Sequence, residues 1–382
     1  MATKRSAGRW RMFKRPSTGL RNLTIIVTCL AFVVFVFLAQ TVLAAILPSQ
    51  GNDAETVAKM SSMTASAETF DGYAAVSLIY AHTNEAIRLA MLIVFGVVTI
   101  GLLLWWLRMP RTLILALACL VPAWLLYLPL FTKDTFVTPV IIGSTLILTS
   151  LQRRPIIRIG LTGVLYLLYA VIFRQYFIII FAVWLGLLLL LKVDWRWRIV
   201  ILAVVPLAAM LIPDSLYETL QMQRDIVNYT RLGGQGNRTA FMNLVQPDGL
   251  RTFPVNYFYA AWRLNFPIFV GGGPKEAYLF VMLGVYVLLM IRGLRSGNSR
   301  VSWPAALFCA HMLVLNIFEP DLGSYLRHLS TALLFLAPSL AMWDRLWQAS
   351  LMSTPGGGGM PATSRPERPS RAGRIGTVHG TF

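Results

Sequence analysis

Residues 24–47 read TIIVTCLAFVVFVFLAQTVLAAIL, a stretch of 24 residues without a charged side chain. A helix needs ~17–25 mostly apolar residues to cross the hydrocarbon core of a bilayer. The stretch follows a strongly basic leader, but it is longer than the ~7–15 apolar residues of a cleaved signal peptide. We therefore predict that it is an uncleaved membrane anchor.

The rest of the chain has the same apolar character. Of its 382 residues, 56% are hydrophobic and 13% are charged, and the mean hydropathy is +0.63. Soluble domains carry ~25% charged residues, and disordered chains have low hydrophobicity. The composition therefore excludes a water-soluble globule and a largely disordered chain, and it predicts an all-α integral membrane protein.

About ten transmembrane helices are predicted from the apolar runs. The predicted spans are residues 24–47, 89–107, 112–131, 136–151, 156–173, 176–191, 199–213, 277–291, 303–318 and 329–343. Three regions follow from this division: a basic cytoplasmic leader (1–22), a helical bundle (23–346) and a tail (347–382). Because the tail is rich in Gly, Pro, Ser and Arg, we expect it to be disordered.

The formal net charge of +18 follows the predicted topology. Alternate loops are basic, as in the pair Arg108 and Arg111 and in the segment around Lys192. Lys and Arg accumulate in this way in cytoplasmic loops. We therefore predict that both termini are cytoplasmic, and the charge gives no reason to expect a nucleic-acid partner.

Two longer loops are predicted on the outer side of the membrane, at residues 48–88 and 214–276. The second begins with an amphipathic segment in which Leu216, Tyr217 and Val227 recur near helical spacing. It ends in an aromatic run that also contains Arg251 and Arg263. The segment fits an interfacial helix packed over the bundle, or a lid over a cavity that opens outward.

Cations occur in short outer turns, where the positive-inside pattern disfavours them. Lys133 stands beside Asp134 after the third predicted span, Arg174 lies in the turn FRQY, and Arg327 lies between the last two spans. An anionic ligand at the outer face would be a reason to keep them, because Arg binds phosphate bidentately. Pairing with neighbouring acids and contact with lipid headgroups are the alternatives.

Further ionisable groups surround Arg327. The segment FEPDLGSYLRH (318–328) also contains Glu319, Asp321 and His328. Such a density of charge beside hydrocarbon is costly unless the groups pair or face water. The three cysteines lie in apolar runs, and no metal-binding or hydrolase motif is present. The sequence therefore predicts neither a metal nor another cofactor.

With these features the chain resembles the Wzy-type polymerases of bacterial surface polysaccharides. The likeness rests on Lys133-Asp134, on the turn FRQY (173–176), on the large outer loop and on the segment 318–328. The family implies a GT-C-like bundle in the bacterial inner membrane. It also implies metal-independent transfer of a glycan from undecaprenyl diphosphate onto a newly delivered lipid-linked repeat unit.

The resemblance also implies roles for individual residues. Arg174 and Arg327 would neutralise the diphosphate leaving group. A general base would come from Asp321, Glu319 or His328, and the sequence does not choose among these three. The remaining candidates, expected to bind substrate, are Lys133, Asp134, Arg251 and Arg263. A chain-length regulator and export machinery are the expected protein partners.

Three other functions remain open at this stage. A polysaccharide transporter or flippase would carry charged residues deep inside several spans, and the sequence has few. A membrane acyltransferase that decorates the polysaccharide would need a cytoplasm-accessible His early in the chain, and the first two spans offer none. A purely structural partner of a synthesis complex is the third.

Overall fold

The computed structural model describes residues 18–46, 57, 72–150, 154–232 and 239–353. Every regular element in these ranges is a helix, so the described part of the chain is all-helical. Most of the predicted leader, most of the loop 48–88 and the tail from residue 354 lie outside the described residues.

Fifteen α-helices of four or more residues are named here in chain order. They are α1 Thr18–Ile46, α2 Gly72–His82, α3 Glu85–Trp105, α4 Pro110–Leu126, α5 Val137–Ser150, α6 Pro155–Ile172, α7 Phe177–Lys192, α8 Trp195–Ala209, α9 Asp214–Leu232, α10 Gly249–Asn265, α11 Ile268–Gly271, α12 Pro274–Leu294, α13 Ser299–Phe318, α14 Leu322–Thr331 and α15 Ala337–Ser353. A 3₁₀ helix, Ala332–Leu336, joins α14 to α15.

The lengths of these helices bear on the predicted membrane spans. Among the described residues, α1, α3, α6, α12 and α13 are long and apolar enough to cross a membrane, and α8 with α9 forms a bent sixth candidate. Helices α4, α5 and α7 are apolar but have only 17, 14 and 16 residues. The described part of the chain is thus that of a helical membrane protein with five or six full-length candidate spans, and it does not confirm the ten predicted spans.

Helix α13 is the centre of the bundle. It packs against α5, α7, α10, α12, α14 and α15. In its most apolar stretch of 18 residues, 67% of the residues are buried. Gly293 of α12 permits one of these close approaches: a Cβ atom there would lie 2.5 Å from the Cβ of Ala305 and 2.3 Å from the Oγ of Ser339. Small residues at such crossings let helix backbones approach each other in membranes.

The anchor helix α1 packs along α3. The ring of Phe32 lies so close to Gly96 that a Cβ atom at Gly96 would be 2.0 Å from it. Phe32 itself has no exposed surface. The first predicted span is therefore part of the packed bundle, and only its other side, which includes Val34 and Phe37, is exposed.

Helices α8 and α9 meet at an angle of 92°. None of the residues of α8 is buried, whereas α9 packs against α10 and α13. The buried face of α9 is mostly polar: Gln221, Arg224 and Asn228 are at most 3% exposed and Tyr217 is 5% exposed, whereas Leu216 and Val227 are exposed. The amphipathic pattern therefore predicts the burial of Tyr217 but not the exposure of Leu216 and Val227. In a membrane protein apolar side chains can face lipid, and polar groups find their partners inside the bundle.

Candidate functional site

The site forms around Asp134, in the connection between α4 and α5. The side chain of Asp134 has no exposed surface. Threonines shape its turn: the backbone N–H of Asp134 donates to Thr132 Oγ1 at 3.2 Å, and that of Thr132 donates to Thr135 Oγ1 at 3.0 Å. These bonds fix the backbone that presents the Asp134 carboxylate.

Two guanidinium groups and an imidazole converge on that carboxylate. Nη2 of Arg174 lies 2.9 Å from Asp134 Oδ1, and Nε of Arg327 lies 3.1 Å from Oδ2. Nε2 of His328 lies 3.2 Å from Oδ1. Arg174 comes from the turn between α6 and α7, and the other two come from α14. One carboxylate thus ties together three separate parts of the chain.

His328 links Asp134 to a second carboxylate. Its Nδ1 contacts Oε1 of Glu319, the C-cap residue that follows α13. An ionised carboxylate can only accept hydrogen bonds. Because its two ring nitrogens lie close to oxygens of different carboxylates, His328 bridges Asp134 and Glu319. We refer to Asp134, Arg174, Glu319, Arg327 and His328 as the Asp134 cluster.

The local sequence of α14 places Arg327 and His328. Asp321 is the N-cap residue, and its Oδ1 accepts from the backbone N–H of Ser324 at 2.9 Å. Asp is favoured at this position because its side chain satisfies a free N–H group of the first turn. With the helix start fixed, Arg327 and His328 fall on its second turn and reach the Asp134 carboxylate.

Aromatic side chains hold the turn that contains Arg174. Nη1 of Arg174 donates to the Tyr176 hydroxyl at 2.8 Å. The Tyr176 ring stacks on Phe318 with 5.1 Å between centroids. The hydroxyl of Tyr169 donates to the carbonyl of Lys133 at 3.2 Å. These contacts join the Arg174 turn to the end of α13 and to the Asp134 turn.

The charges in the cluster shift one another's protonation. Burial by itself raises the pKa of the Asp134 carboxyl, but Arg174, His328 and Arg327 outweigh it and hold that pKa well below its usual value. Burial likewise opposes the ionised form of Glu319, yet His328 lowers its pKa to about 2. The pKa of Arg174 is raised well above its usual value, because the attraction of Asp134 exceeds the penalty of burial. Both carboxyls and Arg174 therefore remain ionised near neutral pH.

The structure brings together most of the residues that the sequence singles out. The five members of the cluster are all among them, and Lys133 and Asp321 belong to the turns that build it. Arg251 is exposed near the start of α10 and takes no part in the ion pairs of the cluster. The guanidinium of Arg263 instead lies over the Phe241 ring, at 5.3 Å.

Arg224 of α9 is a buried residue that the sequence analysis misses. Its guanidinium is 2% exposed and donates to backbone carbonyls at the end of α13: Nε to Glu319 at 3.1 Å and Nη2 to Ile317 at 2.8 Å. Helix ends leave such carbonyls without partners in the helix. The signal available in the sequence is the polar spacing of Gln221, Arg224 and Asn228 along one face of α9.

Asn228 makes the companion contact one turn further on. Its Nδ2 donates to the carbonyls of Phe241 and Pro320, each at 2.7 Å. With Arg224, it attaches α9 to the connection 319–321 that carries Glu319. The outer helix predicted as an interfacial element or a lid is thus fixed to the segment that forms the cluster.

The described ranges contain no group of three or more His, Cys, Asp or Glu side chains placed to hold a metal ion. No protein-family model, curated protein or solved structure matches the chain.

Proposed function

We propose that the protein is a glycan polymerase that joins undecaprenyl-diphosphate-linked repeat units at the periplasmic face of a bacterial inner membrane. The observation that supports this proposal is the convergence of Arg174, Arg327 and His328 in one cluster. Two guanidinium groups and the imidazole of His328 meet there beside the carboxylates of Asp134 and Glu319. Two permanent guanidinium charges held in one place suit an anionic leaving group such as a lipid diphosphate.

In this proposal the two arginines bind the diphosphate and stabilise the charge that develops as the glycosidic bond to it breaks. Arg suits this role because its guanidinium forms bidentate bonds with phosphate oxygens. Asp134 is a positioning residue that aims both guanidinium groups before substrate arrives. Preorganised charge of this kind avoids rearrangement during the reaction.

A base must accept the proton of the attacking sugar hydroxyl. His328 has both ring nitrogens against carboxylates, and Asp321 caps α14. Glu319 is therefore our favoured base, and it becomes available when His328 moves away from it. The base must lie within hydrogen-bond reach of the acceptor hydroxyl, and Glu319 satisfies this if the acceptor enters beside α14.

The topology and the partners belong to the same proposal. We infer about ten spans in a GT-C-like bundle, with the short helices α4, α5 and α7 crossing as tilted or partial spans. The basic loops would face the cytoplasm together with both termini. Lipid-linked oligosaccharide in the bilayer is the substrate, and a chain-length regulator and export machinery are the inferred protein partners.

The test is the size distribution of surface polysaccharide, with lipid-linked intermediates extracted in parallel. In cells that carry Arg174→Ala or Arg327→Ala we expect polymer to vanish and single repeat units to accumulate on the carrier at the periplasmic face. The control is Arg198→Ala, because Arg198 is an exposed residue of α8 that bonds only the nearby carbonyl of Val193 among the contacts described. Normal polymer in both cluster variants would refute the proposal.

A transporter of lipid-linked oligosaccharide is the second candidate. The observation in its favour is that the cluster is closed: Asp134 is wholly buried, and Arg174 and Arg327 are 8% and 13% exposed. Buried ion pairs between helix ends can act as a gate that breaks and re-forms. If the cluster variants leave repeat units on the cytoplasmic face, this second function replaces the first.

A further inference from the structure

A cavity of about 380 Å³ lies at the other end of α4 from the Asp134 cluster. The bond of Thr112 to Asp344 marks this end of α4, and Asp134 follows the opposite end. With a rise of ~1.5 Å per residue, the 17 residues of α4 separate the two ends by ~25 Å. The cavity is lined by Arg21, Trp105, Trp106, Arg108, Asp344 and Arg345.

Positive charge predominates in this lining. Three arginines face a single carboxylate, that of Asp344. The Asp344 carboxylate is 1% exposed and accepts from the backbone N–H groups of Met109 at 2.7 Å and Arg108 at 3.2 Å. It also accepts from the hydroxyl of Thr112. Asp344 thus fixes the turn between α3 and α4, while the side chains of Arg108 and Arg345 are exposed at the cavity.

Tryptophan forms the apolar part of the lining. Trp105 is 56% exposed although it ends an apolar helix. The guanidinium of Arg21 lies 4.8 Å from the centre of the Trp105 ring, and its Nη1 donates to the Trp105 carbonyl at 3.4 Å. Tryptophan is enriched where the bilayer meets water. The combination of an indole and several guanidinium groups matches the level of lipid headgroups.

We propose that this cavity binds a phosphate-bearing anion, supplied either as the headgroup of an acidic phospholipid or as free phosphate. The guanidinium groups of Arg108 and Arg345 would hold the phosphate oxygens, and Trp105 would contact the glycerol or the first acyl carbons. A water occupies ~30 Å³ in the liquid, so a cavity of about 380 Å³ has room for a headgroup. This site is independent of the proposed polymerase activity.

The experiment uses the full chain, purified in a zwitterionic detergent. Native mass spectrometry measures the binding of dioleoyl phosphatidylglycerol, with dioleoyl phosphatidylcholine as the neutral lipid. The double variant Arg108→Gln/Arg345→Gln removes two charges from the cavity. Arg198→Gln/Arg295→Gln removes two exposed charges from other helix ends and is the matched control.

An arginine near a membrane surface contributes ~1 kcal/mol to the attraction of an acidic lipid, so two correspond to ~30-fold in affinity. We expect phosphatidylglycerol to bind the cavity variant at least tenfold more weakly, and the control variant within twofold of the unaltered protein. Equal losses in both variants, or none in either, would overturn the proposal. If the cavity variant fails to fold, the single variant Arg345→Gln is measured with Arg295→Gln as its control.

Calorimetric titration of the same proteins with inorganic phosphate separates the two sources of the anion. Lipid binding that resists millimolar phosphate identifies the headgroup as the ligand. Binding of phosphate that depends on Arg108 and Arg345, with no preference between the two lipids, identifies free phosphate. Absence of both kinds of binding in the unaltered protein refutes the site.

Discussion

Replacing Asp134 by asparagine tests whether one carboxylate holds the cluster together. The change preserves the size of the side chain but removes the charge that Arg174, Arg327 and His328 face at 2.9, 3.1 and 3.2 Å. At ~3 Å and an effective dielectric constant of ~20, each contact corresponds to ~5 kcal/mol of Coulomb attraction. Desolvation offsets much of this, and removing one partner of a buried ion pair costs about 3–5 kcal/mol. We expect the free energy of unfolding to fall by that amount.

The assay is equilibrium unfolding in mixed micelles, arranged as a double-mutant cycle with Arg174→Gln. Because the two residues share a contact, we expect a coupling energy of at least ~1 kcal/mol. Asp344→Asn is the control partner for Arg174→Gln, because it removes another buried carboxylate at the far end of α4 and should be additive within ~0.5 kcal/mol. Equal coupling in the two cycles would refute the reasoning.

Three further predictions concern the same bundle. The pKa of Glu319 is about 2 in the folded protein and ~4.3 in the unfolded chain. The ionised side chain therefore stabilises the folded protein by ~3 kcal/mol above pH ~4.3, and this stabilisation is lost as the pH falls toward 2. Melting curves of Glu319→Gln should lack this pH dependence. Arg224→Met leaves buried carbonyls of α13 without donors and should cost ~2–4 kcal/mol in unfolding free energy; a loss under ~1 kcal/mol would contradict the contacts described. Gly293→Ala should lower the melting temperature by overpacking a helix crossing, whereas Gly284→Ala, with open space at its Cβ, should not.

The apolar runs predict the helices well, because a chain in lipid must satisfy its backbone polar groups internally. The run at residues 24–47 becomes α1, and the run at 303–318 becomes most of the central helix α13. The apolar runs do not predict the length of each helix. The run at 136–151 gives an α5 of only 14 residues, because its flanking residues form the Asp134 turn and a short connection to α6.

The sequence singles out the members of the Asp134 cluster one by one, but it does not predict which of them contact each other. Arg327 and Asp321 both lie in the eleven-residue segment 318–328, so the sequence suggests that they pair with each other. The structure shows that Asp321 caps α14 and that Arg327 forms an ion pair with Asp134, which is distant along the chain. Such a pair depends on α14 packing against α4, and a single sequence carries no signal for that contact. Arg224 escapes prediction for the same reason, since its partners are backbone carbonyls of another helix.

The closed state of the cluster constrains how an anion could bind there. A diphosphate that approaches Arg174 and Arg327 meets guanidinium groups already bonded to Asp134, so it must either share them or displace the carboxylate. Sharing is possible because a guanidinium has five N–H donors, and Asp134 takes one nitrogen from each arginine in the contacts measured. Displacement would leave a buried carboxylate facing only His328, which is costly. If the cluster binds a diphosphate as proposed, the geometry favours an anion that adds to the cluster while Asp134 remains bonded to both arginines.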